Sequence, residues 1–267
     1  LPQNEITGWP DLITRIRART PARVLADRAG AAYLTETQLE LRQAHAAARD
    51  AVRTDFDLER DLGKALIERW NLFEVSTLAK SKDEYLLRPD LGRRLNEDAK
   101  RRITARCPEG ADLQIVIGDG LSVTAVGAQV PQLFPLLMDV AGKRRWKTGQ
   151  AFAVRYSRVG IMNEIGELLR PKVVALLIGE RPGLATAESL SAYMAYKPKP
   201  GNSDANRNLI SNIHARGVSV DQAARRISNL AAMMIERQLS GVELKEIGSS
   251  DRRVTGSSEN LPEHTTE

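Results

Sequence analysis

Val173-Val174-Ala175-Leu176-Leu177-Ile178-Gly179-Glu180-Arg181-Pro182-Gly183 is the stretch that decides the fold of this 267-residue chain. Six apolar residues in a row, with Val and Ile among them, predict a strand buried on both faces, as in a parallel sheet covered by helices. Two glycines and a proline then force a turn. In open α/β sheets the loops at the carboxyl ends of strands carry the ligand, so Glu180 and Arg181 emerge where binding chemistry is usually done. The alternative is a structural turn with a solvated ion pair.

Similar junctions lie on either side. Leu113 to Ile117 reads as a strand ending in Gly118-Asp119-Gly120-Leu121-Ser122, a loop that offers backbone amides at a helix start and suits an anionic or amide-bearing ligand. A helix through Val123 and Val126 follows, with Pro131 expected to restart it. Ala151 to Tyr156 reads as the next strand and leads into Ser157-Arg158-Val159, then a helix over Ile161 to Leu169. Leu190 to Tyr196 reads as a fourth strand. Arg207 to His214 reads as a further polar loop. Strands alternating with helices predict a Rossmann-like α/β fold, a parallel sheet with right-handed crossovers flanked by helices.

A helical N-terminal segment precedes the sheet. Gly8-Trp9-Pro10-Asp11 opens a helix through Leu12, Ile13 and Ile16. Thr35 or Thr37 is expected to cap a longer one through Val52, and Leu58, Leu62, Leu66 and Ile67 share a face further on. Pro89 and Asp90 are expected to start a helix running to Ala105. At the other end, Ser219 and Gln222 form a capping box for a helix with Val220, Ala224, Ile227, Ala231, Met234 and Ile235 as its apolar stripe, and Gly241 is read as its C-terminal glycine. The expected division is a helical segment over 1–80, an α/β unit over 81–247 and a disordered tail over 248–267, where apolar residues nearly vanish.

The composition, with 42% hydrophobic residues, allows a full core. No run of eighteen apolar residues predicts a membrane span. Leu1 to Glu5 lacks the pattern of a secretory signal, and the missing Met is read as trimming. One cysteine, Cys107, forbids an intrachain disulfide and fits a reducing cytoplasm. The net charge of +5 and pI near 9.4 suit nucleic acid, an anionic cofactor or an acidic partner subunit. The dispersed basic residues and 4% aromatics argue against a nucleic-acid platform. Neither GxxxxGK[ST] nor GxGxxG occurs. His45, His214 and His264 are too scattered for a metal site, Ser122 is in no GxSxG elbow, and Cys107 beside Pro108 reads as a bystander rather than a nucleophile. No catalytic residue and no metal ligand is expected in this chain.

Several of these stretches resemble the small (light) subunit of ethanolamine ammonia-lyase. The matching residues are Arg88-Pro89-Asp90-Leu91-Gly92-Arg93-Arg94-Leu95, Asp119-Gly120-Leu121-Ser122, Arg155-Tyr156, Gly179-Glu180-Arg181-Pro182-Gly183-Leu184, Glu188-Ser189-Leu190-Ser191 and Ile210-Ser211-Asn212-Ile213-His214, in the family's order. The resemblance implies one subunit of an adenosylcobalamin-dependent lyase that converts ethanolamine to acetaldehyde and ammonia by radical chemistry. In that family a larger TIM-barrel subunit binds ethanolamine, and the small subunit closes over the cobalamin at their interface. By the same resemblance Val159, Glu180 and Leu209 match cobalamin contacts. Leu209 stands where the family can hold Cys, so the change is harmless to a backbone contact and puts a side-chain contact in question. DxHxxG is absent around His214, which implies that cobalamin keeps its own base as lower ligand. The family also leaves open whether a cytoplasmic enzyme of this kind is packaged in a bacterial microcompartment. The competing readings are a stand-alone cobalamin or nucleotide carrier and a nucleic-acid binder.

Overall fold

A computed structural model describes residues 9–19, 24–26, 28–183 and 185–246. The expected tail, the first residues of the chain, Leu184 and His264 lie outside the described residues. In chain order the elements are α1 (Trp9–Ala18), β1 (Arg28–Ala29), β2 (Ala32–Tyr33), α2 (Thr35–Arg53), α3 (Leu58–Leu62), α4 (Lys64–Trp70), β3 (Phe73–Ser76), α5 (Lys82–Leu87), a 3₁₀ turn Leu91–Arg93, α6 (Glu97–Arg106), β4 (Leu113–Gly118), α7 (Val123–Lys143), β5 (Phe152–Arg155), α8 (Ile161–Leu169), β6 (Val173–Gly179), β7 (Leu190–Tyr196), a second 3₁₀ turn Asp204–Asn206, β8 (Asn208–Ile213) and α9 (Val220–Arg237). The leading segment is thus not purely helical, because β1 and β2 form a short hairpin.

Six strands form one sheet in the order β3-β5-β4-β6-β7-β8. The first four run parallel. An all-parallel sheet is not what forms: β7 runs antiparallel to β6, and β8 antiparallel to β7. No helix separates β6 from β7 or β7 from β8, only a loop and a 3₁₀ turn. Without a crossover helix a neighbouring strand must return antiparallel. Asn208 to Ile213 is therefore a strand and not a loop. Its burial does not alternate cleanly, and the register shifts between Leu190 and Ala192, so the sequence pattern hides it.

Every residue of β4 and β6 is buried, which is why they read as unbroken apolar runs. On one sheet face Ile115, Ile117, Ala175 and Leu177 meet Val126, Val130, Leu133 and Leu137 of α7 and Ile227, Leu230 and Met234 of α9. On the other, Val116, Val154, Val174 and Leu176 meet Ala99 and Ile103 of α6 and Ile161, Met162 and Ile165 of α8. α7 is long and apolar enough to span a bilayer by length and composition, and its inward stripe belongs to this core.

Several expectations about helix ends are corrected. Pro131 restarts nothing, because α7 runs unbroken past both Pro131 and Pro135. Packing on the sheet and on α9 outweighs the two hydrogen bonds that proline cannot donate. Asp90 caps no long helix: residues after the 3₁₀ turn extend, Leu78 N–H donates to Arg94 O at 2.9 Å, and α6 starts afresh with the Asn96 side chain accepting from Ala99 N–H at 2.7 Å. The N-cap of α2 is Leu34, without a side-chain bond, so neither Thr35 nor Thr37 caps it. The Ser219–Gln222 capping box is present, but α9 ends at Gln238 in the left-handed region rather than at Gly241.

Gly166 shows how closely α8 lies against the loop after β7. A Cβ there would sit 1.9 Å from the Pro198 carbonyl oxygen. Helix propensity alone makes Gly→Ala favourable by about 1 kcal/mol. Gly166→Ala is expected to do the opposite, lowering Tm by several degrees, as overpacking against backbone costs roughly 1–3 kcal/mol. A raised Tm in thermal unfolding would contradict the packing described.

Candidate functional site

The carboxyl ends of β4, β5 and β6 and the uncovered part of β7 and β8 enclose a cleft of about 240 Å³. The connection from β4 leads to β5 on one side, and that from β5 leads to β6 on the other side of β4. Such a switch point leaves a crevice outside the strand ends. While α9 packs on β7 and β8 from one side, Tyr193 on the other side is only partly buried and Leu209 is 46% exposed. The sheet itself is the cleft floor there.

Val159, Glu180 and Leu209 all line this cleft, with Tyr85, Leu121, Ser157, Arg158, Arg181, Tyr193 and Ser211 among their neighbours. Three separate strands deliver them: Val159 follows β5, Glu180 follows β6, and Leu209 lies within β8 beside Tyr193 of β7. The cleft continues into a trough of about 640 Å³ lined by Arg93, Arg158, Val159, Asn163, Tyr193 and Arg207. In another direction it opens into a hollow of about 530 Å³ against α2. Arg158 borders all three.

Glu180 is held from three sides. Ser189 Oγ donates to Oε2 at 2.6 Å, Ser191 Oγ donates to Oε1, and the Asn212 backbone N–H donates to Oε1 at 3.0 Å. Its own N–H donates to Ser189 O at 3.0 Å. The solvated ion pair with Arg181 is absent among the described residues. Oε1 is fully engaged, and Oε2 retains one acceptor direction. Asn212 is in turn fixed by His214. Arg216 N–H donates to His214 Nδ1 at 3.2 Å, so the proton is on Nε2, 2.8 Å from Asn212 Oδ1. His214 is a buried structural residue.

Beneath the cleft lies a buried charge. The Asp119 carboxylate accepts from the N–H groups of Tyr156 and Ser157, each at 2.8 Å, and pairs with Lys82 Nζ at 3.7 Å. Complete burial pushes this carboxyl above the usual range, opposed by the Lys82 ammonium and the amides of Ser157, Tyr156 and Gly120. Tyr85 O–H donates to Ser157 O at 2.9 Å; burial, reinforced by Asp119, pushes its phenol upward. Arg158 stacks 4.3 Å from the Tyr85 ring centroid. The loop after β4 lines the cleft with Gly120 and Leu121 but spends several of its polar groups internally. Its carboxylate is internal, Leu121 N–H donates to Gly179 O at 3.1 Å, and Ser122 Oγ caps α7 by accepting from Ala125 N–H at 3.2 Å. Gly179 has to be glycine, since a Cβ would lie 2.0 Å from Ser122 O.

Polar capacity remains unused at the cleft: the buried Ser157 Oγ and Arg158 Nε have no hydrogen-bond partner. Sequence patterns do not single out Lys82 and Tyr85; their only signal is a place just after Ser81, which caps α5. No group of three or more His, Cys, Asp or Glu residues among the described residues is arranged for a metal. Cys107 is buried in the core, and that burial pushes its thiol up to about 11.

The family model described as "Ethanolamine ammonia-lyase light chain" matches residues 10–245. Proteins named "Ethanolamine ammonia-lyase small subunit" are similar along most of the chain. That of Clostridium acetobutylicum is 40% identical over 233 residues, covering 87% of this chain and 94% of the relative. That of Clostridium perfringens is 42% identical over 230 residues, covering 86% and 76%. That of Listeria monocytogenes is 41% identical over 231 residues, covering 86% and 77%.

Two outcomes follow from the buried groups. Asp119→Asn strands the Lys82 ammonium and turns an amide N–H toward a backbone N–H, so unfolding in denaturant should show a loss of about 3–5 kcal/mol. Lys82→Met added to it should recover part of that loss; a neutral Asp119→Asn would refute the structural role of the pair. For Cys107, the unfolded thiol releases its proton at about 8.5, before the folded one at about 11. The unfolded state then binds fewer protons across this window. Stability should fall as pH rises through it, by at most about 1.4 kcal/mol per unit, and Cys107→Ser should remove that slope. Equal alkylation rates for native and unfolded protein at pH 8 would be the contrary result.

Proposed function

Because this chain belongs to the ethanolamine ammonia-lyase light-chain family, we propose that it is the small subunit of an adenosylcobalamin-dependent enzyme that converts ethanolamine to acetaldehyde and ammonia. In this reading a larger TIM-barrel subunit holds ethanolamine, and the strand-end cleft grips one side of the corrin. The single observation that supports it most is the convergence of Val159, Glu180 and Leu209, from three different strands, on one cleft.

The residues present fit such a group. The cleft is open on one side and widens into two troughs, which suits a large ligand shared with a second polypeptide. Leu209 and Val159 give apolar contact. Since the outward Leu209 side chain is exposed and aimed from the sheet floor, it can take the place of Cys as a packing surface. Glu180 Oε2 offers one acceptor to a side-chain amide of the corrin. Ser157 Oγ and Arg158 Nε supply the unpartnered polar atoms.

Bound adenosylcobalamin supplies the radical that starts the reaction. What this chain contributes is placement. Glu180, clamped by two hydroxyls and an amide, presents its free acceptor direction without losing further side-chain entropy. The Asp119–Lys82 pair fixes the loop that carries Ser157, Arg158 and Val159. The apolar floor excludes water from one side of the ligand.

The test is reconstitution. Neither this chain nor its larger partner alone should release acetaldehyde from ethanolamine, and the mixture with adenosylcobalamin should. Activity of the isolated chain, or of the mixture without the cofactor, would overturn the reading. In the assembled complex Glu180→Gln should weaken binding of hydroxocobalamin, followed by spectrophotometric titration, by roughly 10- to 100-fold, the loss of one hydrogen bond to a charged group. An unchanged affinity would remove Glu180 from the site.

A further inference from the structure

The hollow of about 530 Å³ between α2 and the strand-end loops is lined by Arg49 and Arg53 of α2, His45, Arg158, Arg181 and a few apolar residues, including Leu121 and Pro182. Among the described residues no carboxylate lines it. Arg53 has a counter-charge outside the hollow, Asp83 at 3.0 Å, while Arg49 and Arg181 pair with no described residue. Four guanidinium groups gathered in one concavity repel one another, and low-dielectric walls concentrate their field. Asp83 offsets Arg53 alone, and no described carboxylate offsets Arg49 or Arg181.

The helix that forms one wall is a second anomaly. α2 has nineteen residues and buries only Ala51; Leu39 is 58% exposed. Helices of this length draw most of their stability in proteins from packing an apolar face. The surplus of positive charge and the uncovered helix thus lie side by side.

We infer that an acidic segment of the larger subunit docks in this hollow, its carboxylates on Arg49 and Arg181 and its apolar side chains against α2. The inference rests on the subunit reading given above and adds the place and chemistry of one contact. Arg is suited to it, because its planar fork binds a carboxylate through two parallel hydrogen bonds. The position also accounts for the cleft: Arg158 and Arg181 border both the hollow and the cleft, so a segment seated here closes the cleft's open side.

The test compares variants of the full chain for association with the larger subunit from the same source. Arg49→Glu should weaken association about tenfold at low ionic strength, mainly through slower binding, with the difference shrinking in high salt. Arg237→Glu, an equal charge change at the exposed end of α9, should leave it within about twofold. Arg49 is exposed, and unchanged Tm of the free variant will show that it folds. In a complex carrying Arg49→Lys, carbodiimide should couple the introduced amine to an Asp or Glu of the larger subunit. Equal behaviour of Arg49→Glu and Arg237→Glu, or an introduced amine that couples to no carboxylate of the partner, overturns the docking site. If the unaltered chain fails to associate with the larger subunit at all, the subunit reading falls instead.

Discussion

One buried carboxylate decides whether the ends of β4 and β5 form a site at all. Asp119 leaves β4 and takes hydrogen bonds from two successive amides after β5, while Lys82 arrives from α5 to balance its charge. An ionised group at full burial is costly unless it is paired and hydrogen-bonded. Here both conditions hold, and the return on that cost is geometry. Tyr156 is held at φ 58, a left-handed conformation that disfavours most side chains. The Thr77 hydroxyl and the Tyr85 phenol bond the carbonyls of Tyr156 and Ser157 at 3.1 and 2.9 Å. The loop bearing Arg158 and Val159 is thereby fixed through its amides and its carbonyls together.

The sheet adds what the loops cannot. Its parallel half is covered on both faces and supplies stiffness. Its antiparallel half has α9 on one face only, and the other face, with Tyr193 and Leu209, extends the strand-end crevice sideways. A shallow surface continuous with a crevice suits the large, shared ligand proposed above. Glu180 stands at the join. Its three donors come from the loop before β7, from β7 and from β8, so the antiparallel strands both form the floor and orient the carboxylate above it.

Much of this is readable from residues alone. Val173 to Ile178 announces a central strand because every side chain there is buried. Glu180 and Leu209 lie in one cleft because Glu180 is bonded by Ser189, Ser191 and Asn212, of ESLS and ISNI, and Val159 joins them through the loop whose amides Asp119 holds. What escapes is non-local. Lys82 and Asp119 are 37 positions apart in the numbering, and no spacing rule links them. β8 carries Asn208, Ser211 and Asn212 on positions that are not buried, so its polar residues imitate a loop. The two prolines of α7 imitate breaks, since local rules do not weigh the packing that keeps a helix whole.

An open site rigid on one side has a consequence for affinity. Ordering a ligand or a loop on binding consumes interaction energy, and a pre-organised surface avoids that loss. Here the clamp on Glu180 and the buried pair under Arg158 exist before any ligand arrives. The cleft nevertheless has no second wall of its own among the described residues, and its apolar floor at Leu209 faces water. Burying that floor requires a cover, and so does strengthening the free acceptor of Glu180, because hydrogen bonds gain strength where water is excluded. The chain thus supplies orientation from its own fold, and the strength of the site has to come from whatever closes it.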